Sequence, residues 1–127
     1  MDEQSLREEL TRQYQYLAET RLNELASGNI SLRFGKGMLI SPTGATGMTI
    51  APEEFVAVGL DGQWQGQRPP SSEWRMHAGI YQAHEIAHAV VHTHSDHCVA
   101  VACQNQSLPG FHYLVGSFGG VDVPCVP

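Results

Sequence analysis

Two histidines one residue apart, His92 and His94, follow the apolar run Ala89-Val90-Val91. The β-branched residues and the short length of the run read as a buried strand. Alternation along a strand sends both imidazoles to the same face, about 7 Å apart along the backbone. A pair so placed can grip one metal ion, or can be hydrogen-bonded at a sheet end without one. Zinc takes histidine nitrogen at about 2.0–2.1 Å and needs a third protein ligand if one position is to stay open for catalysis. The H-x-H spacing leaves that third ligand open.

A second cluster, Ser71-Ser72-Glu73, stands where a helix is expected to begin. Hydroxyls and an acid there can act as a plain N-cap in favourable contact with the helix dipole. The same N–H groups and hydroxyls can instead receive an anion such as phosphate, with Glu73 beside them as a general base. Gly28-Asn29 and Thr43-Gly44 are turn-forming pairs. They gain chemical meaning only if folding carries them to the Ser71 helix, where backbone N–H groups and the Thr43 hydroxyl would complete a phosphate cradle. His77 and His84, seven apart on one expected helix, read as a packed or surface stripe, and His88 also stays outside the site. His97 and His112 are weaker candidates.

The elements that must position these residues follow from pattern. Leu6, Leu10, Tyr14, Leu17, Leu22 and Leu25 suggest a helix over residues 5–26, with Ser5 as N-cap, Glu8 as its capping-box partner and Gly28 closing it. Residues 30–34 and 38–41 flank Gly35-Lys36-Gly37 as a β-hairpin. A small-residue loop follows, then a short helical turn at residues 51–54, a strand over 55–58 and a turn at Asp61-Gly62. Residues 63–70 read as a polar loop, and 71–84 as the helix opened by the serines. After the histidine strand, Ser95-Asp96 starts a helix of small residues over 97–103, and 121–126 is a last, Pro-interrupted apolar segment. Alternating helices and strands without a Gly-rich dinucleotide fingerprint give a three-layer α/β protein.

Composition bounds the function. With 127 residues, 42% hydrophobic and 16% charged, the chain is long enough for one globular domain with a real core. Seven scattered Lys and Arg against a net charge of -6 argue against a nucleic-acid surface. No stretch approaches the length of a membrane span, and the N-terminus lacks the apolar core of a signal peptide, so a cytoplasmic location without membrane partners is expected. Cys98, Cys103 and Cys125 lack C-x-x-C spacing and read as buried thiols in a reducing compartment.

Taken together, the motifs resemble the class II aldolase/adducin family, in particular its L-fuculose-phosphate aldolase-like members. The stretches that carry the resemblance are A-S-G-N-I-S-L-R (26–33), I-S-P-T-G (40–44), P-S-S-E-W-R-M-H (70–77), V-V-H-T-H-S (90–95), His112-Tyr113 and G-G-V-D-V-P (119–124). They span nearly the whole chain in the family's order. The resemblance implies a three-layer α/β/α fold with a mostly antiparallel central sheet. It implies one Zn²⁺, or another divalent metal, per subunit, held by His92 and His94 with a third histidine further downstream and Glu73 adjacent as acid/base. It also implies a substrate phosphate held by Gly28, Asn29, Thr43, Gly44, Ser71 and Ser72, and a Tyr113 contributed by a neighbouring subunit as proton donor in a homotetramer.

The downstream histidine has no counterpart before Pro127, and the chain stops without a closing helix. It is therefore expected to be a single domain, residues 1–127, shortened at its C-terminus. The activity implied is cleavage of a small phosphorylated sugar, a ketose 1-phosphate, to dihydroxyacetone phosphate and an aldehyde. Epimerisation of a pentulose phosphate, or decarboxylation or dehydration of a sugar-acid phosphate, would use the same metal enolate chemistry. A non-catalytic adducin-like module is the alternative outside enzymes.

Overall fold

The computed structural model describes residues 2–126, with the backbone alone at Phe118. Pro127, which follows the last apolar segment, lies outside them. The chain divides into two compact units, residues 1–94 and 95–127.

The first unit is built on a five-stranded sheet. Its strands are β1 (Asn29–Phe34), β2 (Gly37–Ile40), β3 (Val56–Gly59), β4 (Trp64–Gln65) and β5 (Ala89–His92). They lie in the order β4-β3-β2-β1-β5, and every pairing is antiparallel. The expected hairpin is present, and β5 pairs with the other edge of β1, which sets Asn29 opposite His92.

Side-chain alternation sorts the two faces. Ile30, Leu39 and Phe55 pack with Leu10, Tyr14 and Leu17 of helix α1 (Glu3–Glu19). Met38, Ile40, Val56, Val58 and Val90 pack with Ala78 and Tyr81 of helix α2 (Trp74–Ala83). The central strand β2 is therefore buried on both faces, and the first unit has three layers, α1, sheet and α2. This is the expected α/β fold with an antiparallel sheet.

Several boundaries differ from expectation. α1 is capped by Asp2, whose carboxylate accepts from the Ser5 N–H at 2.8 Å, so Ser5 lies inside the helix. It ends at Glu19, not Ala26. The apolar spacing 6, 10, 14, 17 breaks at Leu22, five residues after Leu17, and Leu22 and Leu25 are exposed in an irregular segment. The stretch read as a polar loop contains the short edge strand β4, paired to Ala57 and Val58. α2 starts at Trp74 with Glu73, not a serine side chain, in the N-cap position.

The second unit holds helix α3 (Asp96–Ala102), a two-stranded ladder of β6 (Leu108–Pro109) with β7 (Asp122–Val123), and a 3-10 turn, Tyr113–Phe118. The cysteines are not buried: Cys98 and Cys103 are exposed and Cys125 is half-buried. The physical reason is that α3 buries none of its residues, so its thiols have no core to enter.

Candidate active site

The site gathers at the end of β5, where the chain leaves the sheet. His92 closes the strand and His94 follows it, so the two residues are not both in regular β structure. Their rings nevertheless meet, with centroids 4.8 Å apart. Asn23, buried in the irregular segment after α1, holds this turn. Its Oδ1 accepts from the His94 N–H at 3.2 Å, and its Nδ2 donates to the His92 carbonyl at 3.5 Å. The His94 N–H also reaches the Leu22 carbonyl at 3.1 Å.

Glu73 comes from the N-terminus of α2 and completes the group. Its Oε2 lies 2.8 Å from His92 Nδ1 and accepts from Asn29 Nδ2 at 2.5 Å. Burial pushes the Glu73 carboxyl up, but the Asn29 hydrogen bond and the neighbouring His92 and His94 outweigh it, and its pKa falls below the ordinary value. A carboxylate can only accept, so His92 Nδ1 carries the hydrogen between them, and in the neutral ring Nε2 is the nitrogen that keeps a lone pair for another partner. One donor atom from each of Glu73, His92 and His94 lies within 4.8 Å of the others. Two imidazoles and a carboxylate at that spacing suit a divalent metal of borderline softness.

The turn pairs expected to matter only if brought to the Ser71 helix are brought there. An isolated bridge joins Pro42 to Pro70, the Thr43 N–H donates to the Pro69 carbonyl at 3.0 Å, and the Ser71 N–H donates to the Ser41 carbonyl at 3.0 Å. A cavity of about 210 Å³ is lined by Gly28, Asn29, Thr43, Gly44, Ser71, Ser72, Glu73 and His94 together with Tyr14. The Tyr14 hydroxyl lies 3.2 Å from both the Gly28 and the Ala45 carbonyls, and so ties the two glycine loops to α1. Gly44 has φ +67°, and Gly28 has φ +68° with the Asn23 side chain where a Cβ would stand.

Tyr113 lies in the second unit, 82% exposed, with its ring 4.5 Å from His112. His84, His88 and His97 are exposed, and His112 accepts from the Leu114 N–H. His77, left outside the site on sequence, is fully buried in α2. Its Nε2 lies 2.5 Å from Asn29 Oδ1 and its Nδ1 2.7 Å from Ser31 Oγ. A signal for it was present: Glu73, His77 and Tyr81 are spaced four apart, one stripe of a helix, while Asn29, Ser31 and Arg33 alternate along one strand face.

Residues 8–127 match the family described as Class II Aldolase and Adducin N-terminal domain. The chain belongs to this family. Among curated members it is 42% identical over 106 residues to the L-fuculose phosphate aldolase of Escherichia coli (strain K12), covering 84% of this chain and 49% of that one. It is 41% identical over 102 residues to the 5-methylthioribulose-1-phosphate/5-deoxyribulose-1-phosphate aldolase of Rhodospirillum rubrum, covering 80% of this chain and 46% of that one. The chain thus spans about half the length of these relatives. A solved L-fuculose 1-phosphate aldolase superposes with a TM-score of 0.85 at 32% identity, covering 94% of this chain and 57% of the other. Fold and family agree with the resemblance read from the motifs.

Proposed function

We propose that the chain carries the metal- and phosphate-binding part of a lyase that cleaves a ketose 1-phosphate to dihydroxyacetone phosphate and an aldehyde. One observation carries this reading: a single cavity is lined by the two glycine loops, the Ser71-Ser72 helix start, Glu73 and His94. In it Gly28, Thr43, Gly44, Ser71 and Ser72 hold the phosphate through N–H groups and hydroxyls, and Asn29 adds the Nδ2 hydrogen not given to Glu73. An acidic protein can bind an anion in this way without a basic patch.

His92 and His94 hold the metal, Zn²⁺ by the softness of the donors and one per subunit, with Glu73 beside them and a third ligand supplied downstream. When bound, the metal acts as a Lewis acid for the negative charge that carbon–carbon cleavage leaves on the substrate oxygens. Cleavage also needs a base for the hydroxyl proton and an acid for the nascent carbanion. Glu73, held as a carboxylate, serves as acid/base at the metal, and Tyr113 of a neighbouring subunit in a homotetramer serves as proton donor. The phosphate cradle fixes the substrate at a point remote from the breaking bond, so orientation is set before the proton moves.

Epimerase, decarboxylase or dehydratase chemistry shares these groups and would differ in the aldehyde-side pocket. A non-catalytic module has no use for Glu73, His92 and His94 assembled together. The test is an assay of the intact protein, refolded with zinc, on L-fuculose 1-phosphate and 5-deoxyribulose 1-phosphate for aldehyde release against epimer formation, with metal analysis of the same sample. Aldehyde release with about one bound zinc per chain is expected. Absence of stoichiometric metal, with no loss on His92→Ala, would sink the reading.

A further inference from the structure

The side of Glu73 that faces away from the histidines is held by a buried polar ladder. Along β1, Asn29, Ser31 and Arg33 alternate onto the α2 face. Along α2, Glu73, His77 and Tyr81 form one stripe. Two strand residues advance about 6.6–6.8 Å and four helix residues about 6.0 Å, so the rungs stay in step. Three links join them: Asn29 to Glu73 and His77, Ser31 to His77 and Tyr81, and Arg33 to the Tyr81 carbonyl at 2.9 Å with its guanidinium 4.7 Å from the Tyr81 ring centre.

We infer that His77 is a positioning residue, a neutral imidazole protonated on Nε2 that fixes the Asn29 amide with its Nδ2 toward the Glu73 carboxylate.

Proton counting gives the order of donors. Glu73 Oε2 accepts only, so Asn29 must present Nδ2 to it and Oδ1 to His77. Oδ1 also accepts only, so His77 Nε2 carries hydrogen. Full burial disfavours the imidazolium, as does the nearby His92, and these outweigh the opposite pull of the Glu73 carboxylate and bring the His77 pKa to about 4. Nδ1 of the neutral ring is then an acceptor, and the Ser31 hydroxyl donates to it at 2.7 Å. With that hydrogen committed, the Tyr81 hydroxyl shares its single hydrogen between Ser31 Oγ at 2.8 Å and the Ser31 carbonyl at 3.1 Å. Each donor in the sequence Tyr81, Ser31, His77, Asn29, Glu73 fixes the next. Reversing the His77 tautomer would turn the Asn29 oxygen onto the carboxylate, acceptor against acceptor. No buried side-chain nitrogen or oxygen among the described residues lacks a partner, so every member of the ladder is satisfied.

The hydrogen-bond order stands on geometry, and only its effect on turnover rests on Glu73 being the acid/base. Long-range ¹H–¹⁵N correlation spectra of the ¹⁵N-labelled protein report the His77 tautomer without any substitution. A pyrrole-type Nε2 and a pyridine-type Nδ1 are expected, and the opposite assignment overturns the inference. Two variants then separate positioning from packing. His77→Gln keeps an N–H donor for Asn29 Oδ1 and is expected to hold the Asn29 side-chain amide resonances near their wild-type positions, whereas His77→Met displaces them. On L-fuculose 1-phosphate, His77→Met is expected to lower kcat about 10- to 100-fold with KM nearly unchanged, and His77→Gln to restore most of it. Equal turnover in wild type and His77→Met, or a Gln variant as poor as the Met variant, overturns the link to Glu73. A protein that cleaves no sugar phosphate yet shows the stated tautomer and amide pattern keeps the ladder and removes the lyase reading instead.

Discussion

The stretch up to His94 and the stretch after it are built in opposite ways. Among the described residues, the buried apolar side chains run from Leu10 to Val90, and only Val115 follows. Before His94, Asn23 holds the histidine turn, Tyr14 ties the glycine loops to α1 and His77 meets the Asn29 amide, although Thr43, Gly44 and Ser72 are themselves exposed. After it, Phe111, Tyr113 and Val121 are exposed at 74%, 82% and 86%. In the proposed function, metal and phosphate binding need fixed geometry and therefore a core beneath them. There, a proton donor on an exposed segment would need something outside that segment, such as a subunit interface, to place it.

Substitutions in the two regions should therefore fail differently. In the proposed reaction, Glu73→Gln removes the group beside the metal and is expected to lower kcat about 10²- to 10⁴-fold. Tyr113→Phe is expected to lower kcat by less, about 10²-fold, and to leave zinc content at the wild-type level. Steady-state kinetics with metal analysis on both variants checks this pair. Loss of zinc in Tyr113→Phe would break the division of labour.

The braced region should also govern acid stability. His77 has a folded pKa of about 4 against an ordinary 6.5, so the unfolded chain takes up its proton first. The sign follows by linkage: its contribution is full above about 6.5 and is lost as pH falls from there toward 4, on the order of 3 kcal/mol in all. Urea unfolding midpoints between pH 7 and pH 4 should fall more steeply in wild type than in His77→Gln. Parallel curves would show that His77 does not set this slope.

The parts of this region legible in the sequence are those with local signatures. H-x-H after an apolar run placed His92 and His94, and S-S-E before a helical pattern placed Ser71 to Glu73, because each depends on neighbours a few residues away. Asn23 and Tyr14 were missed because their partners are distant in the chain, Asn23 meeting His92 and His94 and Tyr14 meeting Ala45, while the stripe that holds His77 shows a helix face without showing that Asn29 packs on it. A lone asparagine after a helix carries no such signal. The thiols expected to be buried in the second region are exposed or half-buried, since small apolar residues mark a helix without saying what covers it. Gly28 lies between the two cases. Its turn role was visible, while its contact with Asn23 was not, and Gly28→Ala is expected to cost about 2–3 kcal/mol through its positive φ and the displaced Asn23. Chemical denaturation measures the loss, and a loss below 0.5 kcal/mol would mean that the loop relaxes freely.

The smallest expected effect tests the other side of the comparison. Phe111→Ser alters a large apolar residue that is mostly exposed, so little transfer free energy is at stake and the unfolding midpoint of the chain should move by less than about 0.5 kcal/mol. The same substitution at Phe55, which is 2% exposed beneath α1, removes a core side chain and should cost about 3–5 kcal/mol. Midpoints for both variants, taken at two protein concentrations, make the contrast decisive. A concentration-dependent loss in Phe111→Ser would mean that a neighbouring copy covers this face. Tyr113, two residues along, would then be held by an interface whose strength the same titration measures.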